Sequence, residues 1–253
     1  MFYKYHKKAF KPQNLTLSLA GNLDIDELTD LVKNLTLNWS NGKNSTPNYK
    51  FPKIETKSKK IVKYINVKNA KFIAVIYGHA MNIDKKELYI LNLANEILNN
   101  RFANNITFRQ FLKNTTSAYF FNSDKISFIN SNVNTWKIKF NLVPANFKPT
   151  ISLFNNIIQD FIENGPDNNE FLNNKLKVLN EFNLQLGSRS YLADLLLTHT
   201  LEGVKPAEID NILLNYQDLN LNALNLFIKK HFHLDKCILV VAGDLKAADI
   251  DMS

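Results

Sequence analysis

The chain has 253 residues, of which 45% are hydrophobic, and a formal net charge of +8. This length and apolar content suit one or two globular domains with a buried core. Lysine supplies nearly all of the positive charge, because arginine occurs only at positions 101, 109 and 189. Bidentate reading of bases by arginine is therefore hardly available, and a solvated charged surface is favoured over nucleic-acid binding.

Cysteine content and hydropathy exclude further classes of protein. Cys237 is the only cysteine, so the chain can form no internal disulfide and no cysteine-based zinc site. Within its apolar segment, Cys237 is predicted to be a small buried hydrophobe. The N-terminus lacks the apolar run of a signal peptide, and no segment reaches the length of a membrane-spanning helix. We therefore expect a cytoplasmic protein with no membrane partner.

The first predicted elements are a strand and a helix. The apolar run from Leu15 to Ala20 ends at Gly21, which is typical of a buried strand followed by a tight turn. Asp24 begins a helix that extends to about Leu35, and Glu27 completes a capping box. Apolar residues recur at helical spacing on one face of this helix: Ile25, Leu28, Leu31, Val32 and Leu35. The stretch 38–57, which is rich in Asn, Ser, Gly and Pro, is predicted to be a linker.

Strands predominate in the middle of the chain. Apolar runs predict strands at 61–67 and 72–77. A helix follows from Asp84 to about Leu98, with Asp84 and Glu87 as its capping box, and residues 108–112 form a short amphipathic piece. Alternating segments that carry Tyr, Phe, Val, Ile and Trp then predict antiparallel strands at 117–122, 126–133 and 136–143.

Helices predominate in the last third of the chain. Pro149 opens a helix that ends near Gly165, and Asp167 caps a second helix that ends at Gly187. Three more helices are predicted near 190–201, 206–214 and 220–232, before a final strand at 237–242. The order of elements predicts an α+β fold, in which helices cover a mostly antiparallel sheet.

Two segments near the ends of the chain repeat each other. Residues 5–10 align with 227–232, and residues 17–23 align with 239–245, at the same offset (243 − 21 = 222). A repeat at domain-sized spacing indicates one fold used twice, with chance similarity as the alternative. We therefore expect 1–37 to be the tail of a first module and 58–253 to be a complete second module.

Several segments, taken in order, resemble one protein family. Val241-Ala242-Gly243-Asp244 closes the last strand, Leu93–Leu98 is similar to a helix of the family's second half, and Phe108–Leu112 is similar to the segment after it. Ser117-Ala118-Tyr119 and Gly165–Phe171 are similar to its strand entry and its late helix start. With the repeat, this order resembles the pitrilysin/insulinase zinc metallopeptidases, whose processing-peptidase-like halves each end in such a strand and turn.

The resemblance implies that zinc is bound outside this chain. In that family the first half holds zinc through an inverted His-x-x-Glu-His motif, and the second half contributes an arginine and a tyrosine to substrate binding. The histidines here, at positions 6, 79, 199, 231 and 233, do not occur in that motif. We therefore expect no cofactor in this chain, zinc on a partner half, no catalytic residue, and substrate binding by Arg109 and Tyr119.

Both proposed substrate residues have simpler alternatives. Arg109 can be a solvated helix charge, and Tyr119 can be an aromatic side chain packed in a strand. The interval between them is longer than the family pattern by about three residues, close to one helical turn. His231 and His233, spaced as on one face of a strand, are predicted to be solvated surface side chains rather than metal ligands.

The resulting hypothesis is a non-catalytic subunit, or split C-terminal part, of a pitrilysin-like zinc metalloendopeptidase. It would bind peptide substrates and form a substrate chamber with a zinc-bearing half, and it would be inactive alone. The alternative is a structural or interaction protein that kept the fold without proteolysis. A basic RNA-associated protein is the third hypothesis, which a lysine-clustered face with exposed aromatic residues would favour.

Overall fold

The computed structural model describes residues 2–3, 6, 10–12, 15–22, 24–39, 60–84, 87–112, 121–125, 133–201 and 210–251. The chain divides into two compact units, Met1–Lys53 with Glu181–Ile209 and Ile54–Asn180 with Asp210–Ser253. The helices are α1 (Ile25–Thr36), α2 (Leu88–Asn104), α3 (Ile106–Phe111), α4 (Phe147–Glu163), α5 (Asn168–Leu186), α6 (Arg189–Leu201), α7 (Asp210–Asp218) and α8 (Leu221–His231). Nearly all of the predicted linker lies outside the described residues, and the predicted domain boundaries stay a prediction.

The second unit is built on a five-stranded sheet with the strand order β1-β5-β2-β4-β3. The strands are β1 (Ile61–Asn66), β2 (Ile73–Asn82), β3 (Phe121–Lys125), β4 (Val133–Leu142) and β5 (Ile238–Gly243). β1 runs parallel to β5, whereas the other neighbouring pairs are antiparallel. The predicted α+β fold with a mostly antiparallel sheet is confirmed. The predicted strand at 126–133 falls outside the described residues, apart from Val133 at the start of β4.

One face of the sheet forms the core with the helices. Residues of β2 alternate between buried and more exposed positions, and Val75 and Tyr77 are among the buried ones. Aromatic rings fill the space between this face and the helices, with the Phe102 and Phe154 rings 5.3 Å apart and the Trp136 and Phe232 rings 5.1 Å apart. Large rings of this kind bury much apolar area per residue, so they supply much of the packing energy.

Local signals predicted the end of α4 and the start of α5 well, whereas the helix predicted from Asp84 to about Leu98 runs from Leu88 to Asn104. Glu170 donates its backbone N–H to the Asp167 carboxylate at 2.8 Å, as the capping pattern indicates. Gly165 follows α4 with a positive φ of 69°, and a Cβ there would lie 2.3 Å from the Asn225 side-chain oxygen. Glycine is therefore required at this corner both by its backbone conformation and by the close approach of Asn225.

The first unit has the predicted helix but not the predicted strand. The Asp24 carboxylate accepts the N–H groups of Asp26 and Glu27 at 2.8 and 3.0 Å, which caps α1 as expected. Residues 15–20 belong to no strand, and Leu17 is 53% exposed. The prediction of a buried strand is wrong here, because none of the described strands is hydrogen-bonded to this segment and a strand needs such a neighbour. The second copy of the repeat, by contrast, forms β5 in the middle of a sheet.

Candidate functional site

Helix α3 carries the first predicted substrate residue, and its own anchors hold it in place. The Phe108 side chain is fully buried, with its ring 4.7 Å from that of Phe102 and 5.8 Å from that of Phe140. Asn105 caps the helix by accepting the Phe108 N–H at 2.9 Å. At the other end, the Asn146 side chain donates to the Phe111 carbonyl at 3.0 Å. The helix therefore has a fixed position although it has only six residues.

Arg109 lies on the outer side of α3. Its side chain is exposed, and none of the ion pairs among the described residues includes it. Buried Phe108 thus orients α3 so that the next residue presents a guanidinium group to solvent. Such a group can donate several charged hydrogen bonds to carbonyl or carboxylate groups of a peptide. Tyr119 lies outside the described residues, so its approach to Arg109 stays a prediction.

Arg101, the second arginine in this region, has a structural role that sequence reasoning missed. Its guanidinium group forms two hydrogen bonds of 2.7 Å with the Glu170 carboxylate and a further one of 2.8 Å with Asp160. It also donates to the Gly165 carbonyl at 2.7 Å and lies over the Phe161 ring. Arg101 thereby joins α2 to the corner between α4 and α5. Its only local signal in the sequence is its place in the last turn of an apolar helix.

A polar cleft of about 520 Å³ borders this network and is not well suited to a ligand. Two of its lining side chains are already hydrogen-bonded to a neighbouring carboxylate, since Asn100 and Lys177 donate to Glu96 at 3.1 and 2.5 Å. The cleft is lined by Asn100, Arg101, Asn104, Glu170, Asn173, Asn174 and Lys177. We therefore assign it to the structural network around Arg101.

Two histidines are buried in the second unit. His79 is 7% exposed and its Nδ1 lies 3.1 Å from the Ala80 carbonyl, while its buried Nε2 has no hydrogen-bond partner among the described residues. Burial lowers the pKa of His79 to about 4. His231 ends α8, is 9% exposed, and has its Nε2 3.7 Å from a Glu87 carboxylate oxygen. The prediction that His231 is solvated is wrong, because its ring packs on Phe227 at 4.6 Å.

These groups do not fit a zinc ion. Among the residues that the structure describes, no three histidine, cysteine, aspartate or glutamate side chains converge as a metal site would require. Cys237 is also unsuited to ligation or nucleophilic attack, because burial raises the pKa of its thiol to about 12. The thiol instead donates to the His233 carbonyl at 3.1 Å. Its prediction as a small buried hydrophobe is confirmed, with 1% of its surface exposed.

The comparison with protein families assigns the chain to one family. The sequence matches the family described as the peptidase M16 inactive domain over residues 1–178, which is more than half of the chain. The chain belongs to the M16 peptidase family. It corresponds to the inactive C-terminal half of these pitrilysin-like proteins, as the order of sequence motifs predicted. No curated protein matches the sequence.

Solved structures of M16 peptidases share this fold. A protease from Helicobacter pylori has a TM-score of 0.73 at 14% identity, over 94% of this chain and 57% of that chain. A putative M16-like peptidase from Alicyclobacillus acidocaldarius has a TM-score of 0.65 at 15% identity, over 88% and 52%. A peptidase M16 inactive domain from Pseudomonas fluorescens has a TM-score of 0.59 at 16% identity, over 73% and 44%. This M16 chain thus spans about half the length of these three structures.

The helices also bear on membrane association. In the described ranges, no helix combines the length and the apolar character that crossing a bilayer requires.

Proposed function

We propose that this chain acts as the non-catalytic half of an M16 zinc metalloendopeptidase, in a complex with a half that carries the His-x-x-Glu-His motif. The zinc-bearing half would supply the catalytic centre, and this chain would help to bind the peptide substrate and to enclose it. Assignment to the inactive domain of the family supports the first part of this proposal. The exposed apolar surface of the first unit supports the proposed complex with the zinc-bearing half.

That surface is a shallow groove of about 360 Å³ between α1 and the segment before it. It is lined by Leu17, Leu19, Ile25, Leu28, Thr29, Val32 and Lys33. No residue of α1 is buried, and Ile25 is 78% exposed although the helix is strongly amphipathic. A short amphipathic helix gains most of its stability by covering its apolar face, and a contiguous apolar patch marks an interaction surface. Since the matched structures are about twice as long as this chain, the other half of such a protein is the cover that we propose.

Arg109 and Tyr119 are the proposed substrate contacts of the complex. The position of Arg109 supports this role, because α3 is fixed by buried Phe108 while the guanidinium group stays exposed and without an ion pair in the described residues. A positively charged donor held in this way can orient an extended peptide through its carbonyl groups.

Assembly is tested by mixing this chain with the His-x-x-Glu-His protein of the same cell and measuring the mass of the complex by light scattering after size exclusion. Replacing Leu28 and Val32 together by aspartate should abolish the complex, because it places two charges on the apolar groove. Asn34→Asp adds a charge on the opposite side of the same helix and should leave assembly intact. Equal loss of assembly in all variants, or no complex with the unchanged chain, would contradict the proposal.

Activity is tested on unfolded peptides with zinc present. The chain alone should show no turnover, and the mixture should show turnover that a chelator removes. Arg109→Ala and Tyr119→Phe should lower kcat/KM of the complex by about tenfold without changing assembly, since charged hydrogen bonds contribute about 1.5–3 kcal/mol. Arg189→Ala, which removes an exposed arginine on α6, is the matched control and should have no effect. A complex that forms but never cleaves a peptide would favour the interaction protein without proteolysis.

A further inference from the structure

The sheet of the second unit has one face that is more exposed than the face that forms the core. The residues of β2 and β5 that point away from the core are more exposed than their neighbours: Ile76 is 40% exposed and Ile238 is 42% exposed. All six residues of the edge strand β1 are exposed as well. A solvated face of an antiparallel sheet is usually polar, so an apolar one requires an explanation.

The strand registers arrange this open face in three rows that cross β1, β5, β2 and β4 in that order. The first row is Ile61, Ile238, Gly78 and Lys137, the second is Lys63, Val240, Ile76 and Lys139, and the third is Ile65, Ala242, Ala74 and Asn141. On the two middle strands, β5 and β2, every position of the three rows is apolar or glycine, and the β4 positions beside them are polar. We call this apolar strip along β5 and β2 the trough.

Lysines flank this trough on two sides. Lys63 and Lys139 end the second row, about 14 Å apart at ~4.8 Å per strand. Neither has a carboxylate partner in the described part of the chain, whereas Lys230 pairs with Glu87 and Lys33 pairs with Asp30. No position in the three rows is acidic, and Asp124 of β3 is in register with Thr135, one row beyond Lys137. The side chains of the three rows thus include lysines and no acidic residue.

The residue types narrow the class of occupant. No position in the three rows is aromatic, so the face lacks the stacking platforms that single-stranded nucleic acids use. Apolar side chains in the middle with lysines at the flanks complement a chain that carries both apolar and acidic side chains.

We propose that this open sheet face binds extended polypeptide segments that contain apolar residues flanked by aspartate or glutamate, and that such segments are the preferred substrates of the complex. The assignment of these segments as substrates rests on the proposed peptidase function. In this arrangement the apolar side chains occupy the trough, while Lys63 and Lys139 pair with carboxylates on either side.

Binding is tested on the chain alone, so that it does not depend on assembly or on zinc. A fluorescent peptide of about 15 residues, with leucine and phenylalanine between glutamates, is titrated with the chain and followed by anisotropy. A second peptide, with every glutamate replaced by lysine, is the matched control. The acidic peptide should bind at least about tenfold more tightly, and raising the salt concentration should reduce the difference, because exposed ion pairs are screened.

Charge-reversal variants locate the binding surface. Lys63→Glu combined with Lys139→Glu should weaken binding of the acidic peptide by about tenfold or more. Lys229→Glu combined with Lys246→Glu changes the net charge equally on exposed residues outside the three rows, and should change binding less than about twofold.

Ile76→Thr keeps a β-branched residue in β2 while removing apolar surface, and should also weaken binding. Leu226→Gln, at an exposed apolar position on α8, is its control. Thermal melting of each variant confirms that it is folded.

The outcomes separate this inference from the proposed function. Equal binding of the two peptides, or equal effects of the two pairs of lysine variants, would overturn the role of the sheet face even if the complex forms and cleaves peptides. Conversely, selective binding that the face variants remove would support the role of the face even if no zinc-bearing partner assembles, and the proposed peptidase function would then fail by itself.

Discussion

Acid should destabilise the second unit through His79, whose burial the structure alone revealed. The ordinary pKa of histidine is 6.5, and burial lowers that of His79 to about 4 in the folded protein. The nearby basic groups of His231, His233 and Lys236 disfavour the imidazolium further. The unfolded chain therefore binds a proton more readily than the folded chain between these two pH values. The contribution of His79 to stability is fully present above pH 6.5 and is lost as the pH falls towards 4.

The magnitude follows from the difference between the two pKa values. Complete titration corresponds to about 3 kcal/mol, at about 1.4 kcal/mol for each tenfold change in the proton equilibrium. Between pH 7 and pH 5, the part that is lost amounts to about 2 kcal/mol. With an m-value of ~2 kcal/mol per M of urea, this loss lowers the unfolding midpoint by about 1 M.

The assay is urea unfolding at pH 7 and pH 5, followed by the fluorescence of Trp136, whose ring lies 5.5 Å from that of His79. Trp39 is replaced by phenylalanine so that Trp136 is the only reporter. His79→Leu should change stability by less than about 1 kcal/mol at pH 7 and should lose about 2 kcal/mol less than the parent on going to pH 5. His6→Leu, at an exposed position, is the control. If His79→Leu shows the same loss as the parent, the buried histidine is not the cause of the acid sensitivity.

Three further predictions concern the stability of the two units. Phe108→Ala should lower the free energy of unfolding by about 3–5 kcal/mol in urea titrations, because the ring is fully buried, whereas Arg109→Ala should stay within about 0.5 kcal/mol. Arg101→Met should lower the free energy of unfolding by about 2–3 kcal/mol, since Glu170 loses a bidentate partner in a site that is only partly open to water. Adding Glu170→Gln to this variant should then cost little further stability. Additive effects of the two changes would argue against the network. In hydrogen exchange, the amides of α1 should exchange much faster than those of β2 and β5, because no residue of α1 is buried, and similar protection in both regions would contradict this.

The candidate site shows where sequence patterns stop being informative. Arg109 could be proposed from the family resemblance, but its exposure depends on how Phe108 packs against α2 and β4. The role of Arg101 depends on Glu170, which is 69 positions away in the sequence. The open sheet face depends on registers between strands that are as far apart as β1 and β5. Local patterns contain no information about such distant pairs, because tertiary packing determines which segments come into contact.

The sequence by itself determined the elements whose physics is local. Helix caps at Asp24 and Asp167, the glycine corner at Gly165 and the alternation along the strands are all set by neighbours within a few residues, and the fold class followed from their order. Tertiary structure decided what those elements pack against. The apolar segment 15–20 has the pattern of a buried strand and remains unpaired among the described strands, while nearly the same pattern at 237–242 lies in the middle of a sheet. The physical reason is that a strand is stabilised by hydrogen bonds and cover from other parts of the fold, which a local pattern can require but cannot supply.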